Sequence, residues 1–318
     1  MSKLVIGFIT YGRSTAKYLP YFLDSLKKQT YKDFDTIVID NTDDEENDNR
    51  SYIKKNYPAI EFKWGGGNMG FSRAYNKIIK KAINRNASLF LMLNPDMILK
   101  EDAIEKMVSV MEGNGSLGSV SPKIFKWDFK NKEKTDIIDS CGIKLNPGLN
   151  FIDMCQGRPD KESCCSVRPV GPSGAAGMYR ISALEKIKEN NKYFEELMFM
   201  YKEDCDLIYR LFLAGFKSDC VRDAIIYHDR TATSGGESYL DIIKNRKGRN
   251  KNIKAWSFLN QQIIFMKYWK LQSFYNKLKI VWYQIRAIVF IVLFERFLLK
   301  ELVNLFKIRG KIKSHKID

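Results

Sequence analysis

Two groups of carboxylates have the residue types and placement to do chemistry. The first is Asn94-Pro95-Asp96, directly after the apolar stretch 88–93. A carboxylate that follows a buried strand sits at the ligand edge of a sheet. A hard divalent cation bridging two phosphates needs one or two such carboxylates and keeps several waters. An ion held by Asp96 would neutralise charge developing on a leaving phosphate. Asn, Pro and Asp also favour turns, and taken alone the triplet reads first as a turn.

The second group is Glu203-Asp204-Cys205-Asp206, followed by Leu207, Leu211 and Gly215. The pattern is a helix entered through acids, which the helix dipole tolerates. Such acids also suit a solvated first turn. The lead-in of Phe194, Leu197, Met198, Phe199 and Met200 is apolar, however, and points to a cleft. There, burial would raise a carboxylate pKa into the range of a general base. His228 ends the apolar run Ala224-Ile225-Ile226-Tyr227, either as a neutral imidazole ligand to a metal or as a hydrogen-bonded structural residue. The Gly-rich stretch 65–70 stands before a helical pattern, where backbone N–H groups can face an anion. It matches neither the Walker pattern nor a dinucleotide G-x-G-x-x-G opening.

The elements that must position these residues alternate. Residues 4–10 form a buried-strand run, and Leu19, Phe22, Leu23 and Leu26 fall at helical spacing. Residues 34–39 predict a strand ending at Asp40-Asn41, and an acidic, Asn-rich loop at 42–50 leads into a helix. A short strand at 60–64, a helix through Phe71, Ala74, Tyr75, Ile78, Ile79 and Ala82, a strand at 88–93 and a helix at 101–112 follow. This alternation predicts an α/β fold with a mixed, mostly parallel sheet flanked by helices. Thr10-Tyr11, Asp40-Asn41 and Asn94-Pro95-Asp96 all stand at strand ends. Residues 114–180, rich in Gly, Pro, Ser and Cys, predict irregular strands and loops, and 182–228 a second ordered block. Long helical patterns cover 255–269 and 273–306.

The chain has 318 residues, 45% of them hydrophobic, enough for a sizeable core. Its net charge is +16. From residue 244 onward there are 18 Lys and Arg against 3 Asp and Glu, which leaves 35 basic and 34 acidic residues before it. A nearly neutral body thus carries a basic tail. Nucleic-acid binders spread charge over the folded recognition surface, so that class is not expected. The tail's longest uncharged stretch near the end, 287–294, is too short to span a bilayer, and a basic amphipathic helix on an anionic membrane surface fits better. A packing helix in a homo-oligomer is the plain alternative. Six cysteines (141, 155, 164, 165, 205 and 220) make no C-x-x-C pair, and with two histidines a zinc site is not expected. Met1-Ser2-Lys3 runs into a short apolar segment without a cleavage-site pattern, so the expectation is a cytoplasmic protein with reduced thiols.

Across residues 3 to 232 these pieces resemble the family 2 glycosyltransferases, which have the GT-A fold. The resemblance is carried by Thr10-Tyr11, by Val38-Ile39-Asp40-Asn41, by the N-x-G-x-x-x-x-x-N segment from Asn68 to Asn76, by Asn94-Pro95-Asp96 in place of the D-x-D motif, and by Gly174-Ala175-Ala176-Gly177 followed by Glu203-Asp204 and His228. Asn-Pro-Asp is similar to the rhamnosyltransferase-like members, which implies dTDP-rhamnose as donor, and leaves one carboxylate where D-x-D has two.

The resemblance implies a catalytic domain at 1–240, with a nucleotide-sugar half at about 1–112 and an acceptor half at about 113–240, and a basic helical segment at 241–318. It implies Asp204 as base beside Glu203, and donor contacts at Thr10, Tyr11, Asp40, Asn41, Asn68, Gly70, Arg73, Asn76, Asn94 and Asp96. Acceptor contacts would come from Gly174, Ala175, Asp206 and Arg210, and a Mg or Mn ion would sit at Asp96 and His228. The expected reaction is an inverting, single-displacement transfer to a lipid-linked or polysaccharide acceptor of the bacterial cell envelope, at the inner face of the membrane. A non-catalytic nucleotide-sugar-binding subunit is the competing expectation, with a basic nucleic-acid-binding protein ranked behind it.

Overall fold

The computed structural model of the chain describes residues 3–160, 167–230, 248 and 250–315. Its first strand, β1 (Leu4–Thr10), is buried on both faces. Leu4, Ile6 and Phe8 enter one core with helix α2 (Leu19–Lys27) and helix α5 (Ala103–Gly113), while Val5 enters a second core on the opposite face. Strand alternation alone makes this division. The second core is closed by α4 (Gly70–Asn84), α6 (Ile181–Ile187) and α7 (Glu203–Leu213).

Around β1 lie β2 (Phe34–Asp40), β3 (Glu61–Trp64) and β4 (Leu89–Leu93), all parallel, in the order β3-β2-β1-β4. Short helices α1 (Gly12–Ala16) and α3 (Asp48–Asn56) follow β1 and β2. The remainder of the sheet is mixed. Beyond β4 come β10 (Ala176–Arg180), β6 (Leu117–Asp128), β11 (Lys217–His228) and β5 (Met97–Leu99), and β7 (Glu133–Ser140) pairs with β6 off this path. Strand β10 runs antiparallel to both β4 and β6, so it stitches the two halves together. A separate hairpin joins β8 (Ile143–Asn146) to β9 (Asn150–Asp153). The stretch 114–180, expected to be irregular, therefore supplies five strands, one of them 12 residues long. Strand β6 is rich in small residues and buried on both faces, so it shows no alternation to read.

The C-terminal segment is built into the body of the fold. Helix α8 (Lys251–Tyr268) puts Ile263, Ile264, Phe265 and Tyr268 into one core with Ile143, Phe151, Cys205, Ile208 and Tyr209. The pattern at 273–306 is two helices, α9 (Phe274–Phe294) and α10 (Leu299–Ile308). The break falls at Glu295, which leaves helical geometry to reach Lys254 on α8 at 2.9 Å, both side chains under 10% exposed. Two sequence readings, the reduced thiols Cys164 and Cys165 and the domain boundary at 240/241, lie outside the described residues.

Candidate active site

The ends of β1, β2 and β4 face one edge of the sheet, the place where open α/β sheets bind ligands. At the end of β2, Asp40 is completely buried. Its Oδ1 accepts from the Thr10 and Thr42 hydroxyls at 2.7 Å each, and its Oδ2 accepts from Asn47 Nδ2 at 2.7 Å. Asn47 also caps α3 through Oδ1. Asp40 and Thr10, read from sequence as donor contacts, hold the β1 and β2 loops from beneath. The exposed group beside them is Tyr11, at 43%.

The Gly-rich stretch is shaped by contact with the lead-in to α7. Gly70 has φ +81°, and a Cβ there would lie 2.6 Å from the backbone oxygen of Phe199, so only glycine fits. Phe71 N donates to that same oxygen at 2.8 Å, and Ser72 Oγ donates to Met198 O at 2.6 Å. Asn41 Nδ2 donates to Gly70 O at 3.2 Å, while Asn68 and Arg73 are exposed. Asn76 corrects the sequence reading. It is buried, accepts from Tyr193 N and Phe194 N, and donates to Phe194 O and Glu196, so its amide clamps this lead-in and has no face left for a donor.

Helix α7 starts abruptly. Tyr201 and Lys202 both take left-handed φ, +71° and +69°, a strained pair for non-glycine residues. Asn260 on α8 braces the bend, its Nδ2 donating to Met200 O at 2.9 Å and Tyr201 O at 2.7 Å. The four residues behind the bend then diverge. Asp204 is partly exposed, its Oδ2 accepting from Gly174 N and its Oδ1 from Cys205 N, both at 2.8 Å. A Cβ at Gly174 would lie 3.0 Å from that Oδ2 and crowd the Asp204 carboxylate.

Glu203 turns inward and is 4% exposed, with no hydrogen-bond partner on Oε2 among the described residues. Burial, and then the charge of Asp204, push its carboxyl pKa well above the ordinary value. The sequence reading places Glu203 beside the base at the site; the structure buries its side chain behind Asp204. Asp206 and Arg210 are also corrected. They are 0% and 1% exposed and pair with each other at 3.0 Å. Asp206 further meets Lys267 at 2.9 Å and the Tyr268 hydroxyl at 2.6 Å, and Arg210 donates to Ile187 O and Tyr193 O. They fasten α7 to α8 and leave no group for an acceptor.

At the end of β4, Asn94 N donates to Ala175 O at 2.8 Å. The backbone of Gly174 and Ala175 therefore touches the Asn94-Pro95-Asp96 loop on one side and Asp204 on the other. Asp96 is 23% exposed in its side chain, and its Oδ1 is buried without a hydrogen bond among the described residues. His228 Nε2 stands 3.3 Å from that oxygen. His228 Nδ1 lies 2.8 Å from the fully buried Asp139, whose other oxygen meets Arg230 Nε at 3.2 Å. Arg230 Nη1 in turn reaches Asp153 at 2.8 Å. Burial lowers the His228 pKa, but Asp96 and Asp139 together raise it to about 9. An orphaned carboxylate oxygen beside an imidazole fixed from behind by a carboxylate is a donor set that suits a hard divalent ion, which would displace the Nε2 proton that Asp96 otherwise stabilises. Among the described residues no three His, Cys, Asp or Glu side chains could hold a metal together, so further ligands would come from phosphate oxygens and water.

Asp139 and Arg230 escaped the sequence reading. Asp139 lies in a stretch with no readable pattern, 89 positions before His228 in the chain.

Comparison with known proteins agrees with this architecture. The family model described as "Glycosyl transferase family 2" matches residues 6–187, which includes the three parallel strand ends and stops short of Asp204 and His228. No curated protein matches the chain. Among solved structures, the mannosyltransferase PcManGT from Pyrobaculum calidifontis, in complex with GDP-Man and Mn2+, superposes with TM-score 0.53 at 13% identity, over 99% of this chain and 76% of that one. GalNAc-T7 with UDP, GalNAc and Mn2+ gives TM-score 0.56 at 12% identity, over 83% of this chain and 51% of that one. At such identities the likeness shows the fold, which is GT-A. With more than half of its length matched by the family model, the chain belongs to glycosyl transferase family 2.

Proposed function

We propose that this protein transfers a sugar from a nucleotide-diphosphate donor to an acceptor hydroxyl with inversion, using Asp204 as base and Mg or Mn at Asp96 and His228. The observation that carries the reading is the backbone of Gly174 and Ala175, which bonds to Asp204 and to the Asp96 loop at once. It supports a common reaction space for base and leaving group. The solved structures that share the fold hold GDP-Man or UDP together with Mn2+, which supports the donor class and the ion.

In this mechanism Asp204 accepts the hydroxyl proton of the acceptor. The freed oxygen bonds to the anomeric carbon from the face opposite the diphosphate, whose C–O bond breaks and takes the electron pair with it. Positive charge develops on the ring as in other glycosyl transfers. The two backbone N–H donors fix the Asp204 carboxylate while each oxygen keeps a lone pair for the proton. The ion, when bound, supplies positive charge opposite the leaving phosphates. The Asn94-Pro95-Asp96 form supports dTDP-rhamnose as the donor to test first, and a lipid-linked or polysaccharide acceptor of the cell envelope fits the basic C-terminal helices. The working location is the inner face of the cell membrane.

Thermal-shift measurement against a panel of nucleotide sugars, with and without Mg or Mn, tests the proposal. A stabilising donor that needs the ion, followed by inverted transfer product, is expected. Donor binding with neither hydrolysis nor transfer would establish the non-catalytic binding subunit in its place.

A further inference from the structure

Helix α9 is amphipathic the wrong way round for a core helix. It turns a narrow side to the body, through Ile280 and Ile291, each 2% exposed. Gln284 on the same side pairs with Gln262, and Gly148 N donates to Asn276 Oδ1 at 3.2 Å. The opposite side is apolar and open. Phe274, Leu278, Val281, Ile285, Val289 and Val292 follow one another at helical spacing and are between 44% and 77% exposed. At 100° per residue the open apolar arc, widened by Ile288 on one edge and Trp282 on the other, spans about 120°. Its borders are basic: Lys277 on one side, Lys279 and Arg286 on the other. Helix α10 repeats the arrangement with Leu299, Val303 and Phe306, each exposed by 41% or more. So large an exposed apolar surface marks an interaction site.

We propose that α9 and its neighbour α10 lie in the plane of an anionic lipid bilayer, apolar arc in the acyl boundary and basic borders among the headgroups. Charge selects this occupant over a second copy of the chain. The segment from residue 244 on carries 18 basic residues against three acids, and one of the acids, Glu295, is already paired with Lys254 inside the fold. A two-fold contact through this face would set Lys277, Lys279 and Arg286 against like charges. Anionic headgroups supply the counter-charge, and long basic side chains can extend to them from a buried helix edge. No described helix is long and apolar enough to cross a membrane, so the fit is to one leaflet. The proposal stands apart from the sugar-transfer reading, since its test reads lipid binding alone.

The test is flotation of the full chain with vesicles of phosphatidylglycerol and phosphatidylcholine, against vesicles of phosphatidylcholine only. Flotation separates bound protein from aggregates, which sink. The wild type should float with anionic vesicles, and a Val281→Asp, Ile285→Asp double variant should bind at least about tenfold less. Both positions are half-exposed, so circular dichroism and melting temperature should stay unchanged. Raising salt to 1 M shortens the screening length from about 10 Å to about 3 Å and should also weaken binding. Failure to float with anionic vesicles, or equal flotation of the double variant, overturns the proposal. So does a dimer in sedimentation velocity that the double variant dissociates, because a second copy would then cover the face.

Discussion

Replacing Asp204 by asparagine separates binding from chemistry, and its two costs can be worked from the structure. Each Asp204 oxygen accepts one backbone N–H at 2.8 Å. Asparagine keeps one acceptor and turns an NH2 toward the second N–H, so one buried-side bond is lost and two donors oppose each other. That costs about 1–3 kcal/mol of stability and should lower Tm by about 2–6 °C. The catalytic cost is larger. Loss of a general base lowers turnover by about 10²–10⁴, which is about 3–5 kcal/mol at 1.36 kcal/mol per tenfold. The assay is transfer from the donor identified by thermal shift, at temperatures where both proteins are folded, with donor affinity measured separately. The expected result is a collapsed kcat with donor affinity within about threefold of wild type. Turnover within tenfold of wild type refutes Asp204 as base. Donor affinity lost in parallel with turnover refutes it as well, because Asp204 would then be a donor-binding residue.

Asp139→Asn should weaken Mn2+ binding about 10–100-fold, since Asp139 fixes the His228 ring from behind; electron paramagnetic resonance of free Mn2+ measures this without acceptor present, and unchanged affinity would remove His228 from the ion's ligands. Glu203 has a raised pKa in the fold, so its contribution is complete below about pH 4.3 and is lost as pH rises toward the folded value. Glu203→Gln should therefore gain stability relative to wild type as pH rises above about 4.3, and melting curves that stay parallel there would contradict a raised pKa for Glu203. Glu189 has the opposite sign: burial favours its neutral form, but His315, Lys267 and Arg210 hold its pKa down to about 2. Its contribution is complete above about pH 4.3 and fades as pH falls toward 2, so Glu189→Gln should show a flatter acid limb in Tm, and identical acid limbs would refute the pairing.

The alternation of strand and helix over the first 112 residues is a local property, and it was legible because β1, β2 and β4 are short, largely apolar runs bounded by turn residues. The strand-end placement of Thr10, Asp40 and Asp96 follows from it directly. The stretch from Leu117 to Arg180 was less legible, because two of its strands take distant partners beside the local pairs β6–β7 and β8–β9: β10 lies between β4 and β6, and β11 pairs with β6 across a gap of about a hundred residues. The acidic run shows the same limit within four residues. Glu203, Asp204 and Asp206 look alike in sequence, yet the helix rotates them by 100° per residue onto three different surroundings.

The sequence by itself determined the parallel half of the sheet, the carboxylates at its ligand edge, and the split between a neutral body and a basic tail, because each is written in local pattern or in composition. Only the tertiary structure decided which acid stays partly exposed, which is buried without a partner on Oε2 among the described residues, and which pairs with Arg210 and Lys267. It alone placed Asp139 behind His228 and carried α8 back under the bend that launches α7. The physical reason is that charge state and exposure are set by neighbours in space, and for these groups the neighbours come from distant parts of the chain.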